Sequence, residues 1–169
     1  LARFLLHFLK FSLNTVFAMS HNLPLVIVNP SSARGTTRAA WPCLASDLAT
    51  HFGAFKVDFT KERGEAVRLA LQGAEEGRGL IIACGGDGTI SEVANGILES
   101  GRDVELGIMP SGTGGDFRRT LKLSTHPATA ARQLRTGRTR LIDVGRINFL
   151  DQNNQPQKRF FLGVASFGM

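Results

Sequence analysis

Two glycine-rich segments carry the side chains best suited to phosphate chemistry. The first is Gly85-Gly86-Asp87-Gly88-Thr89, which follows the apolar run Ile81-Ile82-Ala83-Cys84 and passes straight into Ile90-Ser91-Glu92-Val93-Ala94-Asn95-Gly96. The second is Pro110-Ser111-Gly112-Thr113-Gly114-Gly115-Asp116-Phe117. Glycines let a phosphate come close to backbone N–H groups, and a helix start adds the positive end of its dipole. An aspartate in such a turn can hold Mg2+ through water or position an attacking hydroxyl. One turn of this kind could be only a tight bend whose aspartate stabilises a helix start. A second makes a nucleotide site the stronger reading.

The classical phosphate motifs are absent: the chain has no GxxxxGK[ST], and no GxGxxG with an acidic residue at the right distance. No lysine is placed to reach the phosphates, so Mg2+ and backbone N–H groups would carry more of the neutralisation. Thr113 sets a hydroxyl in the middle of its turn, and Thr60 lies at the end of a strand facing the same edge. Thr89 and Glu92 have the spacing of a capping box, which predicts a helix starting at Thr89. The histidines at 7, 21, 51 and 126 have no matched partners for a metal site or a catalytic triad. Cys84 reads as a small buried residue rather than a nucleophile.

The elements that position these residues follow from periodicity. Pro24–Asn29 is a short apolar strand ending in the turn Asn29-Pro30-Ser31-Ser32-Ala33-Arg34-Gly35. A helix marked by Trp41, Leu44, Leu48 and Phe52 follows, with Pro42 expected in its first turn. Then come a strand over 55–60, a helix over 64–74, a strand over 80–84 and the helix after the first glycine turn. A strand over 105–109 leads to the second turn, with a short helix near Asp116 and another over 127–135. Thr139–Asn148 and Lys158–Phe167 read as a β-hairpin around a polar loop at 151–157. Alternating strand and helix implies an α/β fold with a mostly parallel sheet and helices on both faces. Ligands of such sheets sit at the carboxyl ends of the strands, where all three turns fall.

With 169 residues, 43% hydrophobic and 20% charged, the chain suits one domain with a real core. Its two cysteines argue against a disulfide framework and for a cytoplasmic compartment. Net charge is +6. Arg118, Arg119, Lys122, Arg132, Arg135, Arg138 and Arg140 form a basic strip without acidic residues, which suits an anionic partner or a solvated face. Residues 1–22 mix Phe and Leu with Arg3, His7 and Lys10; they lack a membrane-spanning run and read as a non-core extension, with Met19 as a plausible start.

Assembled in order, Val28–Gly35, Gly85–Gly96, Pro110–Phe117, Ile142–Gly145 and Phe161–Gly168 resemble the catalytic domain of the diacylglycerol kinase family, which includes bacterial lipid kinases and the sphingosine and ceramide kinases. The resemblance covers residues 24–169. It implies a phosphofructokinase- and NAD kinase-like nucleotide-binding domain over 23–140, with 141–169 opening a β-rich second domain. It implies transfer of the γ-phosphate of ATP to a lipid hydroxyl with Mg2+, at a membrane surface reached by peripheral association from the cytoplasm. Nucleic acid is not an expected partner, and a homodimer is left open. By the family pattern, Asn29, Ser31, Thr60, Gly85, Gly86, Asp87, Gly88, Thr89, Glu92 and Thr113 surround the nucleotide. Asp87 is the catalytic carboxylate, and Asp87 with Asp116 serves the metal.

The chain departs from the family in having Gly115 where an asparagine is usual. The resemblance also puts a catalytic base and a further metal site in a C-terminal β-rich domain beyond this sequence, so the 169-residue piece is expected to bind nucleotide weakly and to have little activity by itself. The rival readings are an NAD kinase-like enzyme, which shares the GGDGT turn, and a non-catalytic nucleotide- or lipid-binding module.

Overall fold

Four strands differ in their apolar pattern, and that difference sets their places in the sheet. Leu25–Val28 (β1) and Leu80–Gly85 (β3) are apolar almost without alternation, as a strand covered on both faces must be. Lys56–Phe59 (β2) and Glu105–Pro110 (β4) alternate and carry charged residues. In the computed structural model, which describes residues 23–111 and 115–162, the sheet is parallel throughout with the order β2-β1-β3-β4. The apolar strands are central and the alternating ones are edges. On edge strand β2, Lys56 pairs with Asp58 and Glu76 at 3.5 and 3.7 Å, charges that discourage edge-to-edge pairing.

Among the described residues, five α-helices accompany the sheet: Thr36–Phe52 (α1), Glu65–Glu75 (α2), Asp87–Ser100 (α3), Asp116–Thr120 (α4) and Pro127–Thr136 (α5). Leu25, Ile27, Ile81 and Ala83 pack with α2 and α3 through Ala66, Ala70, Ala74, Ile90, Val93 and Ile97. The alternate residues Val26, Val28, Ile82 and Cys84, with Met109, pack with Leu44 and Leu48 of α1 and Ala130 and Ala131 of α5. Connections run from β1 outward to β2 and then back across β1 to β3. The winding direction therefore reverses between β1 and β3, and the crevice at their carboxyl ends is the topological switch point of the sheet.

Three local expectations are corrected. The helix after the first glycine turn begins at Asp87, with Gly86 as its N-cap and no side-chain cap; Thr89 lies inside the first turn and is buried, so the capping box does not form. Extended backbone at Gly86 (φ −90°, ψ −175°) lets the helix start two residues early. Pro42 lies well inside α1, because a 3-10 turn over Ser32–Gly35 starts that helix at Thr36. Pro42 is exposed there and has no N–H to give the carbonyl four residues back. The hairpin pairs Gly145–Leu150 (β5) with Pro156–Phe161 (β6), closer to the loop than the sequence suggests. Asp151 fixes that register: its Oδ1 accepts the amides of Asn153 and Gln155 at 2.8 and 2.9 Å, and its Oδ2 accepts Gln157 Nε2 at 3.1 Å.

Leu23–Thr139 form one unit, and the described residues from Arg140 onward belong to a second. The readings of residues 1–22 and of the closing strand beyond 162 lie outside the described residues.

Candidate functional site

The switch point is built from the ends of β1 and β3. Asn29 continues the ladder, its amide donating to the Cys84 carbonyl at 3.0 Å. Both ends of its side chain are used: Oδ1 accepts the Ser31 amide at 3.0 Å, and Nδ2 donates to Thr89 Oγ1 at 3.1 Å. The Asn29–Gly35 turn is thereby fastened to the start of α3. Gly85 permits this, since a Cβ there would lie 2.5 Å from Thr89 Oγ1.

Asp87 is the first residue of α3, where a carboxylate is favoured by the helix dipole. Its Oδ2 accepts the Asp116 amide at 2.8 Å, joining the two glycine-rich turns. Its Oδ1 is buried and has no hydrogen-bond partner among the described residues. A buried carboxylate oxygen left without a donor is costly, and its natural complement is a cation or a hydroxyl proton. Gly86 and Gly88 flank it with open space: a Cβ at either would meet nothing within 4 Å. The absent side chains leave the backbone there free for a ligand.

The second turn approaches from the other side. Gly115 has φ +116°, and a Cβ on it would sit 3.2 Å from Asp87 Oδ1. The Asp116 carboxylate is exposed and pairs with Arg119, so what Asp116 gives Asp87 is its backbone N–H. Three hydroxyls tie the Asn29–Gly35 turn and the start of α1 to the second glycine-rich turn. Ser32 Oγ lies 2.6 Å from Thr37 Oγ1 and 3.4 Å from Ser111 Oγ, and Thr37 also bonds Ser111. Thr37 and Ser111 were not singled out in the sequence. Ser111 sits in a turn already under suspicion, whereas nothing in the pattern marks Thr37, a buried threonine in the first turn of α1.

The remaining expected residues are placed as follows. Thr60 is buried, and its amide donates to the Val28 carbonyl at 2.9 Å, which sets it beside Asn29. Ser31 is exposed on the Asn29–Gly35 turn. Glu92 Oε1 accepts the Gly64 amide at 3.0 Å and so faces the start of α2. Thr113 lies outside the described residues. Among the described residues, no group of three or more His, Cys, Asp or Glu side chains is gathered to hold a metal. Any cation would rest on Asp87, water and a ligand's own phosphates, which is the usual way Mg2+ is held.

Cys84 lies fully in the core, and burial pushes its thiol up to about 12. Cys43 is exposed. Native protein should therefore consume thiol reagent rapidly at Cys43 alone at pH 8, with Cys84 reacting only on denaturation; two fast equivalents would refute the buried assignment.

An open parallel sheet with glycine-rich turns and a carboxylate oxygen without a donor at its switch point has the layout in which α/β domains hold their ligands. Residues 24–147 match the diacylglycerol kinase catalytic domain, and the chain belongs to that family. It is 32% identical over 143 residues to a diacylglycerol kinase of Staphylococcus saprophyticus, covering 85% of this chain and 44% of that protein. A diacylglycerol kinase of Staphylococcus epidermidis is likewise 32% identical, with 85% and 42% covered. The crystal structure of a diacylglycerol kinase from Bacillus anthracis superposes with a TM-score of 0.65 at 32% identity, covering 80% of this chain and 45% of that one. The chain thus spans less than half the length of the relatives it matches.

Proposed function

We propose that this chain supplies the nucleotide-binding part of an ATP-dependent lipid kinase, which transfers the γ-phosphoryl group of ATP to the hydroxyl of a diacylglycerol-like or sphingoid lipid with Mg2+. The observation that carries the reading is the unpartnered Oδ1 of Asp87, set between two glycines with open space in front of them. Asn29, Ser31, Thr60, Thr113 and the 85–89 turn surround the nucleotide, with backbone N–H groups at the start of α3 taking the phosphates. Asp87 fits Mg2+ through its free oxygen. Bound there, Mg2+ would neutralise phosphate charge and so favour phosphoryl transfer. Asp116 holds Asp87 in place through its amide. Its carboxylate would join the metal's water shell only on leaving Arg119.

The test is phosphorylation by the protein expressed from its full reading frame, with γ-labelled ATP, Mg2+ and micelles of diacylglycerol, sphingosine or ceramide, beside free NAD. Lipid-soluble label is expected. Label in NAD alone would establish the NAD kinase reading, and nucleotide binding without transfer to any acceptor would establish a binding module.

Peripheral contact with an anionic bilayer is part of the proposal. No helix among the described residues is long and apolar enough to cross a membrane. In the basic strip, Arg119 pairs with Asp116 and Arg135 lies 5.9 Å over the Phe52 ring. Lys122, Arg132 and Arg138 are exposed. Binding to phosphatidylserine vesicles should fall roughly tenfold or more between low and physiological salt. Binding that ignored salt would remove the strip from the membrane contact.

A further inference from the structure

We propose that Thr37 and Ser111 form a hydroxyl latch that fixes the start of the second glycine-rich turn, which makes Thr37 a positioning residue for the nucleotide. This rests on the nucleotide-site reading above.

Thr37 is polar where the helix pattern calls for an apolar residue. Thr37, Leu44 and Leu48 are the buried residues of α1 and share its inward stripe. Around Thr37, the residues from Ala33 to Thr36 and from Arg38 to Ala40 are exposed. A hydroxyl therefore takes the inward position at the start of this helix. Burying it is costly unless its hydrogen bonds are made, and here they are made to Ser32 and Ser111. Only 1% exposed, Thr37 is out of reach of a ligand and can act only through its partners.

Each of the three hydroxyls brings one proton. Ser32 Oγ has an acceptor in the Asn29 carbonyl at 2.8 Å, and Thr37 Oγ1 has one in the Ser32 carbonyl at 3.1 Å. Both bonds stay within the Asn29–Gly35 turn and the start of α1. Ser111 has no carbonyl acceptor among the described residues, so its proton turns inward to Thr37 Oγ1, with Ser32 Oγ 3.4 Å away. The backbone adds little at this point. The Ser111 amide lies 3.4 Å from the Gly85 carbonyl, longer than a usual hydrogen bond. The far end of the same turn is held by the Asp116 amide on Asp87 Oδ2 at 2.8 Å. The turn that carries Thr113 is thus fastened at both ends, to α1 through Ser111 and to α3 through Asp116.

The experiment compares wild type, Thr37→Val, Ser111→Ala, the double variant and Thr37→Ser in the protein expressed from its full reading frame. It reads hydrogen exchange over residues 110–117, the Kd of a non-hydrolysable ATP analogue with Mg2+, and kcat and KM for ATP. Thr37→Val keeps the side-chain shape without the hydroxyl, and exchange over 110–117 should accelerate. Its Kd and KM should rise roughly fivefold, with kcat within about threefold of wild type. Ser111→Ala should match it, and the double variant should be no worse than either single, since both remove one bond. Thr37→Ser restores the hydroxyl and should recover most of the affinity. Losses that multiply in the double variant would overturn the latch, as would unchanged exchange in Thr37→Val. Weaker binding in Ser111→Ala alone would overturn it by placing Ser111 on the nucleotide itself. Faster exchange with unchanged Kd would refute the positioning role. Should Thr37→Val lose its fold, Ser111→Ala carries the test: a lost latch speeds exchange over 36–40 as well, whereas a lost phosphate contact leaves 36–40 unchanged. If wild type phosphorylates no lipid, the kinase reading fails, while exchange and analogue binding still decide the latch.

Discussion

Replacing Asp87 with asparagine should cut lipid phosphorylation by roughly 10²-fold or more while leaving the protein folded. Asparagine keeps a carbonyl oxygen for the Asp116 amide, so the join between the two turns survives. What it removes is the charge, and it can place an NH2 group where the free Oδ1 now lies. A donor in that position repels a cation and cannot take a proton from an attacking hydroxyl. The loss should appear mainly in kcat if Asp87 acts on the transferring group, and in the Kd of the Mg2+–nucleotide if it only holds the metal. The melting temperature should stay close to wild type, because the Asp116 amide keeps its acceptor and the lost charge at the helix start is worth only about 0.3–1 kcal/mol. Phosphorylation near the wild-type rate would end the catalytic assignment of this residue.

The second large effect concerns stability. Gly96→Ala should destabilise the domain by about 3 kcal/mol or more, even though alanine is the better helix former. The added Cβ would sit 2.2 Å from the Val67 carbonyl oxygen and 2.8 Å from both the Leu71 nitrogen and Ala70 Cβ. Two of these three atoms are backbone, so relief requires α2 and α3 to move apart, and with them the apolar side chains they share with β1 and β3. A drop of about 6–12 °C in melting temperature follows for a domain of this size. Gly88→Ala is the control: it also lies in α3 but meets nothing within 4 Å, so its melting temperature should hold or rise. Equal behaviour of the two variants would show that the helices are not so closely apposed.

These two glycines show what a sequence can and cannot reveal. The parallel sheet was legible because β1 and β3 lack alternation and each is followed by turn residues and then a helical period. The three turns could be placed at one edge from topology alone. Side-chain partners were harder to read. Thr89 and Glu92 have capping-box spacing, yet extended backbone at Gly86 moves the helix start to Asp87 and gives both side chains distant partners, Asn29 and Gly64. Thr37 was invisible because its hydroxyl partner Ser111 is 74 positions away. Pro42 was misplaced because the left-handed Ala33 and Arg34, at φ 51° and 58°, start α1 earlier than residue propensity suggests. The hairpin was shifted because the apolar run near the end of the chain outweighed Asp151, whose three hydrogen bonds set the register.

Gly115 bears on which side chains the second glycine-rich turn can accept. It stands at φ +116°, a conformation that L side chains rarely adopt. Its missing Cβ also leaves clear the approach to Asp87 Oδ1, 3.2 Å from where that atom would stand. Any side chain placed here, asparagine's included, would strain the backbone and crowd that oxygen. Position 115 works as a keyhole beside Asp87: it stays open only while it carries glycine.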